Sequence, residues 1–285
     1  MVTSPFTEFA GQTMIPGAPK DRHGNAQGTQ YDLAKDDGFS GEIIVILNLV
    51  PEECTIMSAE GGKTQAALEQ KGFKVVGWSC TRGTNIPSPE ELRTTLKQAC
   101  QFWLISTKTV CLSSEHYRII SEFYDSGKGL FVWGDNDPYY QDANLLFKMI
   151  LNISMEGNSP GGKIVHERND SERLGSGFLQ HEITTGLEHL FEGVTVATIK
   201  DYDESLQPLI WGSAGNLITA YYDQNGKRFL VDSAFTRLYM NWDDAGTARF
   251  VKNAASWLTN WKQPEPALSQ KPQPKKPGGI PWRTS

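Results

Sequence analysis

The side chains able to do chemistry gather just after short apolar runs. After Leu130–Trp133 the chain reads Gly134-Asp135-Asn136-Asp137-Pro138-Tyr139-Tyr140, where an apolar run breaks sharply and a helix is expected to begin with proline in its first turn. A strand-turn-helix elbow exposes the side chain at its tip and faces it with backbone N–H donors. In acyl-transfer enzymes that side chain is Ser or Cys; here the register offers Asp135 and Asn136. A carboxylate there could hold a polar ligand or a cation, but the plainer and favoured expectation is that Asn136 or Asp137 caps the helix. A second acidic stretch follows Val231: Asp232-Ser233-Ala234-Phe235, then Asn241-Trp242-Asp243-Asp244, without a histidine. If Asp232 and Asp243 approach Asp135 and Asp137, several carboxylates share one mouth, with Tyr139 beside them. They would then raise one another's pKa or recruit a hard cation such as Mg²⁺ or Ca²⁺. The competing expectation is that Asp243 or Asp244 caps the last helix.

Three other patterns carry less. Gly62-Lys63-Thr64 matches the close of a phosphate-binding loop, but Met57 stands where the loop needs glycine and Glu60 would face the phosphates; an ordinary helix start is expected. His181 and His189 are eight residues apart with Gly186 between them, so one helical face does not present both, and His181 is expected to be structural. Cys80 and Cys111 follow two apolar runs, outside any elbow, and no two of the four cysteines form a C-x-x-C pair. Buried, reduced thiols are expected.

The elements that must position these residues are legible as a rhythm. Glu42–Leu49, Phe73–Trp78, Phe102–Ile105 and Leu130–Trp133 are short and apolar on both alternations, as strands covered on two faces are. Between them, Thr64–Lys71 stops at Gly72, Ser88-Pro89-Glu90-Glu91 opens a helix toward Cys100, and Ser113–Ser126 stops at Gly127. This is the βαβ repeat of a doubly wound, mostly parallel sheet. Past residue 151, Lys163–His166, Val194–Thr198, Leu209–Trp211, Leu217–Tyr222 and Arg228–Val231, with an Asn225-Gly226 hairpin turn, predict a mixed or antiparallel extension. A last helix from about Asp244 to Trp261 places Phe250, Ala254, Trp257, Leu258 and Trp261 on one side.

Flanking segments differ in composition. Residues 1–39 hold few aliphatics and predict a flexible arm, while 263–285 carry six of the fifteen prolines with Lys271, Lys275, Lys276 and Arg283, an extended basic tail. The α/β domain is expected at 40–262. With a net charge of −6, nucleic acid is not expected as a partner. Neither a basic-then-apolar leader nor a run of ~20 apolar residues occurs, so a cytoplasmic protein without membrane contact is expected.

Taken together, the parallel strands, the elbow, the phrase His181-Glu-Ile-Thr-Thr-Gly-Leu187 and the closing segments Gly226–Val231 and Arg249–Leu258 resemble the class I glutamine amidotransferase-like superfamily over residues 40–261. The resemblance is to its non-catalytic branches, the ThuA-like proteins and the domain of gliding-motility and intraflagellar-transport proteins, where an H-P-I-T-x-G-L phrase recurs. It implies a flavodoxin-like fold. Active amidotransferases carry G-x-C-x-G at the elbow and H-x-E after a late strand; aligned on Gly134, Asn136 stands at the cysteine position and Pro138 at the second glycine, and Asp-Ser-Ala-Phe follows Val231. Without thiolate and base, thioester chemistry is not expected. The resemblance implies a pseudoenzyme: a binding or scaffold module in a soluble intracellular assembly, with no catalytic residue and no cofactor. Its candidate ligand residues are Asp135, Asn136, Asp137, Tyr139 and Asp232, and a protein partner could be met through tail 263–285. The alternative is a hydrolase or carbohydrate-processing enzyme using a divalent cation on Asp135, Asp137, Asp232 and Asp243.

Overall fold

A computed structural model describes residues 32–34, 36–50, 62–80, 84–168, 175–242 and 245–260. The expected tail 263–285, Asp243, Asp244, Trp261 and the arm through residue 31 lie outside them. The first half alternates strands and helices in chain order: β1 (Ile43–Asn48), α1 (Lys63–Gln70), β2 (Lys74–Ser79), α2 (Pro89–Leu96), β3 (Gln101–Ile105), α3 (Ser114–Asp125), β4 (Gly129–Trp133) and α4 (Gln141–Ile150). Then come β5 (Ser154–Pro160), β6 (Ile164–His166), β7 (Gly177–Phe178), β8 (His189–Phe191), β9 (Thr195–Lys200), β10 (Gln207–Trp211), β11 (Leu217–Gln224), β12 (Lys227–Asp232) and α5 (Thr247–Leu258).

The main sheet has eight strands in the order β2-β1-β3-β4-β12-β11-β10-β7. The first five run parallel, and β11, β10 and β7 continue antiparallel beyond β12. Alternation along the central strands explains why those runs are apolar throughout. Ile44, Ile46, Trp103, Ile105, Phe131, Trp133 and Leu230 face the side of α1 and α5. Val45, Leu47, Phe102, Leu104, Leu130, Val132 and Val231 face that of α2, α3 and α4. The fold is therefore α/β, doubly wound and mostly parallel, with an antiparallel extension.

Local chemistry sets the helix ends. Ser88 caps α2: its Oγ accepts from the Glu91 N–H at 3.3 Å and the Glu91 carboxylate accepts from the Ser88 N–H at 2.7 Å. α2 ends at Leu96, short of the expected Cys100, because the chain must turn so that the Cys100 N–H can bond to the Ile43 carbonyl and launch β3. α5 begins at Thr247, after left-handed Gly246, where a Cβ would lie 2.4 Å from the His189 carbonyl.

Residues 32–34 and 36–39, expected to belong to the flexible arm, are packed against the domain. Leu33, Ala34 and Phe39 are buried in the layer under α1 and α5, and Phe39 stacks on Phe73 at 4.4 Å. Asp32, also buried, forms ion pairs with Lys71 at 3.0 Å, Lys252 at 2.7 Å and Arg249 at 3.0 Å. Burial works to raise the Asp32 carboxyl; Lys71 and Lys252 outweigh it and hold it below its ordinary value.

Among the described residues, no helix is long and apolar enough to cross a membrane.

Candidate functional site

Pairing of β12 beside β4 brings the two acidic stretches together at the carboxyl ends of the strands. The Gly134 N–H donates to the Asp232 carbonyl at 2.8 Å, and the Phe235 N–H donates to the Gly134 carbonyl at 3.0 Å. Asp135 and Asp232 thus both lie at the crest, and a guanidinium is paired with Asp232 and acts on Asp135. Arg237, in a 3-10 turn at Phe235–Leu238, is fully buried, and its Nη1 lies 3.3 Å from Asp232 Oδ2. Its Nη2 donates to the Glu192 carbonyl at 3.3 Å, and the guanidinium sits over the Phe250 ring at 5.4 Å.

Each carboxylate in this centre has its own set of donors. Asp232 accepts from the Thr219 hydroxyl at 2.7 Å and from the Ala234 N–H at 2.9 Å. Asp135 accepts from the backbone N–H groups of Asn136, at 3.0 Å, and Thr236. Glu192 accepts from the Ser213 hydroxyl at 2.7 Å and the Lys163 N–H at 2.9 Å. Burial drives the Asp135 carboxyl well above its usual range, and the nearby Asp232 charge adds to the effect. Burial also raises Asp232, which Arg237 opposes as its ion-pair partner.

The remaining predicted residues stand outside this centre. Asn136 is half-buried, and its Oδ1 accepts from the Thr195 hydroxyl at 2.9 Å. Asp137 is exposed and accepts from the Tyr140 hydroxyl at 2.9 Å. Tyr139 packs edge-on against Phe235, with ring centres 6.2 Å apart. Neither Asn136 nor Asp137 caps α4, correcting the favoured reading of the elbow. The end of β3 does that work: the Thr107 carbonyl accepts from the Gln141 N–H at 3.2 Å and Ser106 Oγ from the Ala143 N–H at 3.2 Å. Capping by Asp243 or Asp244 falls outside the described residues. Among the described residues, no group of three or more His, Cys, Asp or Glu side chains is placed to hold a metal ion.

A two-stranded antiparallel ribbon, β5 with β9, lies over the crest. The Asp137 N–H donates to the Gly157 carbonyl at 2.9 Å, Thr195 reaches Asn136, and the Val194 N–H donates to Thr236 Oγ1 at 3.1 Å. Two glycines permit this approach. A Cβ on Gly134 would lie 2.4 Å from Met155 Sδ, and one on Gly193, at φ +103°, would lie 2.9 Å from the Ala234 Cβ. The mouth expected from the sequence is thus filled from below by Arg237 and covered from above by the ribbon.

The described thiols and His181 are used elsewhere. Burial pushes the Cys80 thiol up to about 11 and Cys100 to about 12, and it raises Cys111 too. Cys80 and Cys111 donate to the carbonyls of Asn85 and Thr109, which favours the neutral thiol. His181 is structural, as expected: its Nδ1 accepts from the Ile183 N–H at 3.1 Å and its ring packs against Tyr221, tilted by 35° with ring centres 4.2 Å apart. The phrase it begins docks α5, because Asn253 Nδ2 donates to the Ile183 and Thr185 carbonyls at 3.2 and 2.8 Å. Gly62-Lys63-Thr64 is an ordinary start to α1, with Gly62 at the cap.

Arg237 and Glu192 escaped the sequence reading. The one signal was an arginine inside the apolar run Ala234-Phe235-Thr236-Arg237-Leu238, where an unpaired charge would be costly to bury.

The strand order and the alternation of helices on its two faces define a doubly wound α/β fold with an antiparallel extension. Among solved structures the chain is similar to the mmIFT52 N-terminal domain, at TM-score 0.54 and 12% identity, covering 75% of this chain and 97% of that one. It also matches the cytoplasmic protein STM1381 from Salmonella typhimurium LT2, at TM-score 0.49 and 11% identity over 76% of this chain and 97% of that one. A protein described as ThuA-like from Parabacteroides merdae ATCC 43184 matches at TM-score 0.49 and 11% identity, over 79% and 94%. No protein-family profile matches the chain, and no curated protein matches it in sequence.

Proposed function

We propose that this protein is a non-catalytic amidotransferase-like module that binds protein partners within an intracellular assembly. The observation that carries the reading is the filled crest: the β5–β9 ribbon closes over the elbow, where the resemblance places a nucleophile, and the Arg237–Asp232 ion pair follows β12, where it places the base. Two features support it. Asn136 stands at the elbow with its carboxamide engaged by Thr195, and the described thiols are held protonated. The fold shared with the mmIFT52 N-terminal domain supports a scaffold role over a solitary enzyme. In this role the protein needs no cofactor. The Pro/Lys-rich segment 263–285 is the proposed point of attachment, since extended proline-rich segments lose little entropy when an aromatic groove takes them up.

Affinity co-purification of the full chain and of a chain ending at residue 262 tests this, with each eluate resolved by size exclusion. The expected result is a stoichiometric companion co-eluting with the full chain and lost or weakened on truncation. A full chain that elutes alone and turns over a substrate contradicts it.

A further inference from the structure

Of the four described histidines, two are consumed by the fold. His116 bonds through its two ring nitrogens to Ser113 at 2.8 Å and to the Pro87 carbonyl at 2.9 Å, and His181 caps a 3-10 turn. The side chains of the other two, His166 and His189, have no hydrogen bond or ion pair among the described residues, and they face each other. They stand directly opposite in the β6–β8 pair, with ring centres 6.1 Å apart. The backbone pattern fixes how close they come. The Glu192 N–H donates to the Lys163 carbonyl at 3.0 Å, and the Phe191 N–H turns away to the Ala245 carbonyl. Counting along the ladder, His166 and His189 form a non-hydrogen-bonded pair, the kind whose side chains lie nearest each other. His166 is exposed and His189 half-buried, so the space between the rings is open to solvent.

We propose that His166 and His189 form a two-imidazole site for a borderline divalent transition metal: Cu²⁺, Ni²⁺ or Zn²⁺. Imidazole nitrogen is a ligand suited to these ions, whereas Mg²⁺ and Ca²⁺ require oxygen. A metal–N bond of ~2.0–2.1 Å puts each ring centre roughly 3 Å from the ion, so two rings sharing one ion have centres up to about 6 Å apart. The observed spacing stands at the open end of that range, and side-chain rotation closes it. Water, or a donor from a bound partner, would complete the coordination. This inference is independent of the role proposed above.

The test is titration of the full chain with Ni²⁺ by calorimetry, with Cu²⁺ EPR to count coordinated nitrogens, on the wild type, His166→Ala, His189→Ala and the double variant. One strong site is expected in the wild type, showing two imidazole nitrogens, and each single variant should weaken it by about a hundredfold or more, because the second ligand acts intramolecularly. The metal-free melting temperatures of the variants should match the wild type, since neither ring makes a hydrogen bond the fold depends on. Single variants that bind as the wild type does, or a wild type that binds none of the three metals more tightly than the double variant, would overturn the proposal.

Discussion

Arg237 is charged, wholly buried, and held by one carboxylate at 3.3 Å. Replacing it with methionine keeps much of the volume and leaves Asp232 buried with only Thr219 and the Ala234 N–H. Removing one member of a buried pair costs ~3–5 kcal/mol, so Arg237→Met should lower the urea midpoint strongly. A loss under ~1 kcal/mol would mean the pair is not what holds the crest. Asp135 gives the complementary prediction. At low pH the folded and unfolded chains both carry its proton. As pH rises past the ~3.9 of an unfolded aspartate, the unfolded chain releases a proton that the folded chain keeps, so stability falls from there toward the raised folded value. Asp135→Asn does not titrate, and its carboxamide oxygen still accepts a backbone N–H. Urea melts from pH 4 to 8 should show the variant lacking this decline and more stable than the wild type at neutral pH; parallel curves would contradict it.

At the scale of elements, α5 is held by one polar side chain inside an apolar layer. Asn253 is fully buried: its Oδ1 accepts from the Leu33 N–H at 2.7 Å, and its Nδ2 donates to the Ile183 and Thr185 carbonyls. It therefore ties two segments to one helix, the turn at Ile183–Thr185 and the stretch that begins at Asp32. Asn253→Ala strands three buried backbone groups and should cost about 3 kcal/mol or more. Amide exchange at Leu33 should accelerate beyond the global change, and unaltered protection there would show that the stretch is held by packing alone. This scale also shows what the sequence could reveal. β1, β3 and β4 were legible because both faces of those strands are covered, which leaves apolar runs; β2, at the sheet edge and only partly covered, was legible from its Val75, Val76 and Trp78, and serine and glycine mark the ends of α1 to α3. β5 (Ser-Met-Glu-Gly-Asn-Ser-Pro) was not. Only its Met155 is fully buried, and its strand state comes from pairing with β9 and from Asn144, whose side chain bonds to both Met155 backbone groups. Residues 32–39 were missed for the same reason: Leu33 and Phe39 follow no period, and Asp32 is bound by cations far along the chain.

For the molecule as a whole, the fold and half of its crest could be read in advance. The elbow residues, the strand-end aspartates and the absence of a cysteine–histidine pair at the family positions are all matters of order along the chain. That the crest is closed is a matter of what folds back over it. The β5–β9 ribbon covers it and Arg237 fills it, and neither announces its destination in composition or spacing. The role proposed above requires that no activated thiolate stand at this crest, where the buried Arg237–Asp232 ion pair lies. The most direct measurement is intact-mass analysis of the full chain after incubation with a chloroketone analogue of glutamine, the kind of electrophile that alkylates an activated thiolate. With the described thiols raised to about 11 and about 12 at Cys80 and Cys100, the mass should stay unchanged near neutral pH. A single stoichiometric adduct on one cysteine, prevented by glutamine, would contradict the account.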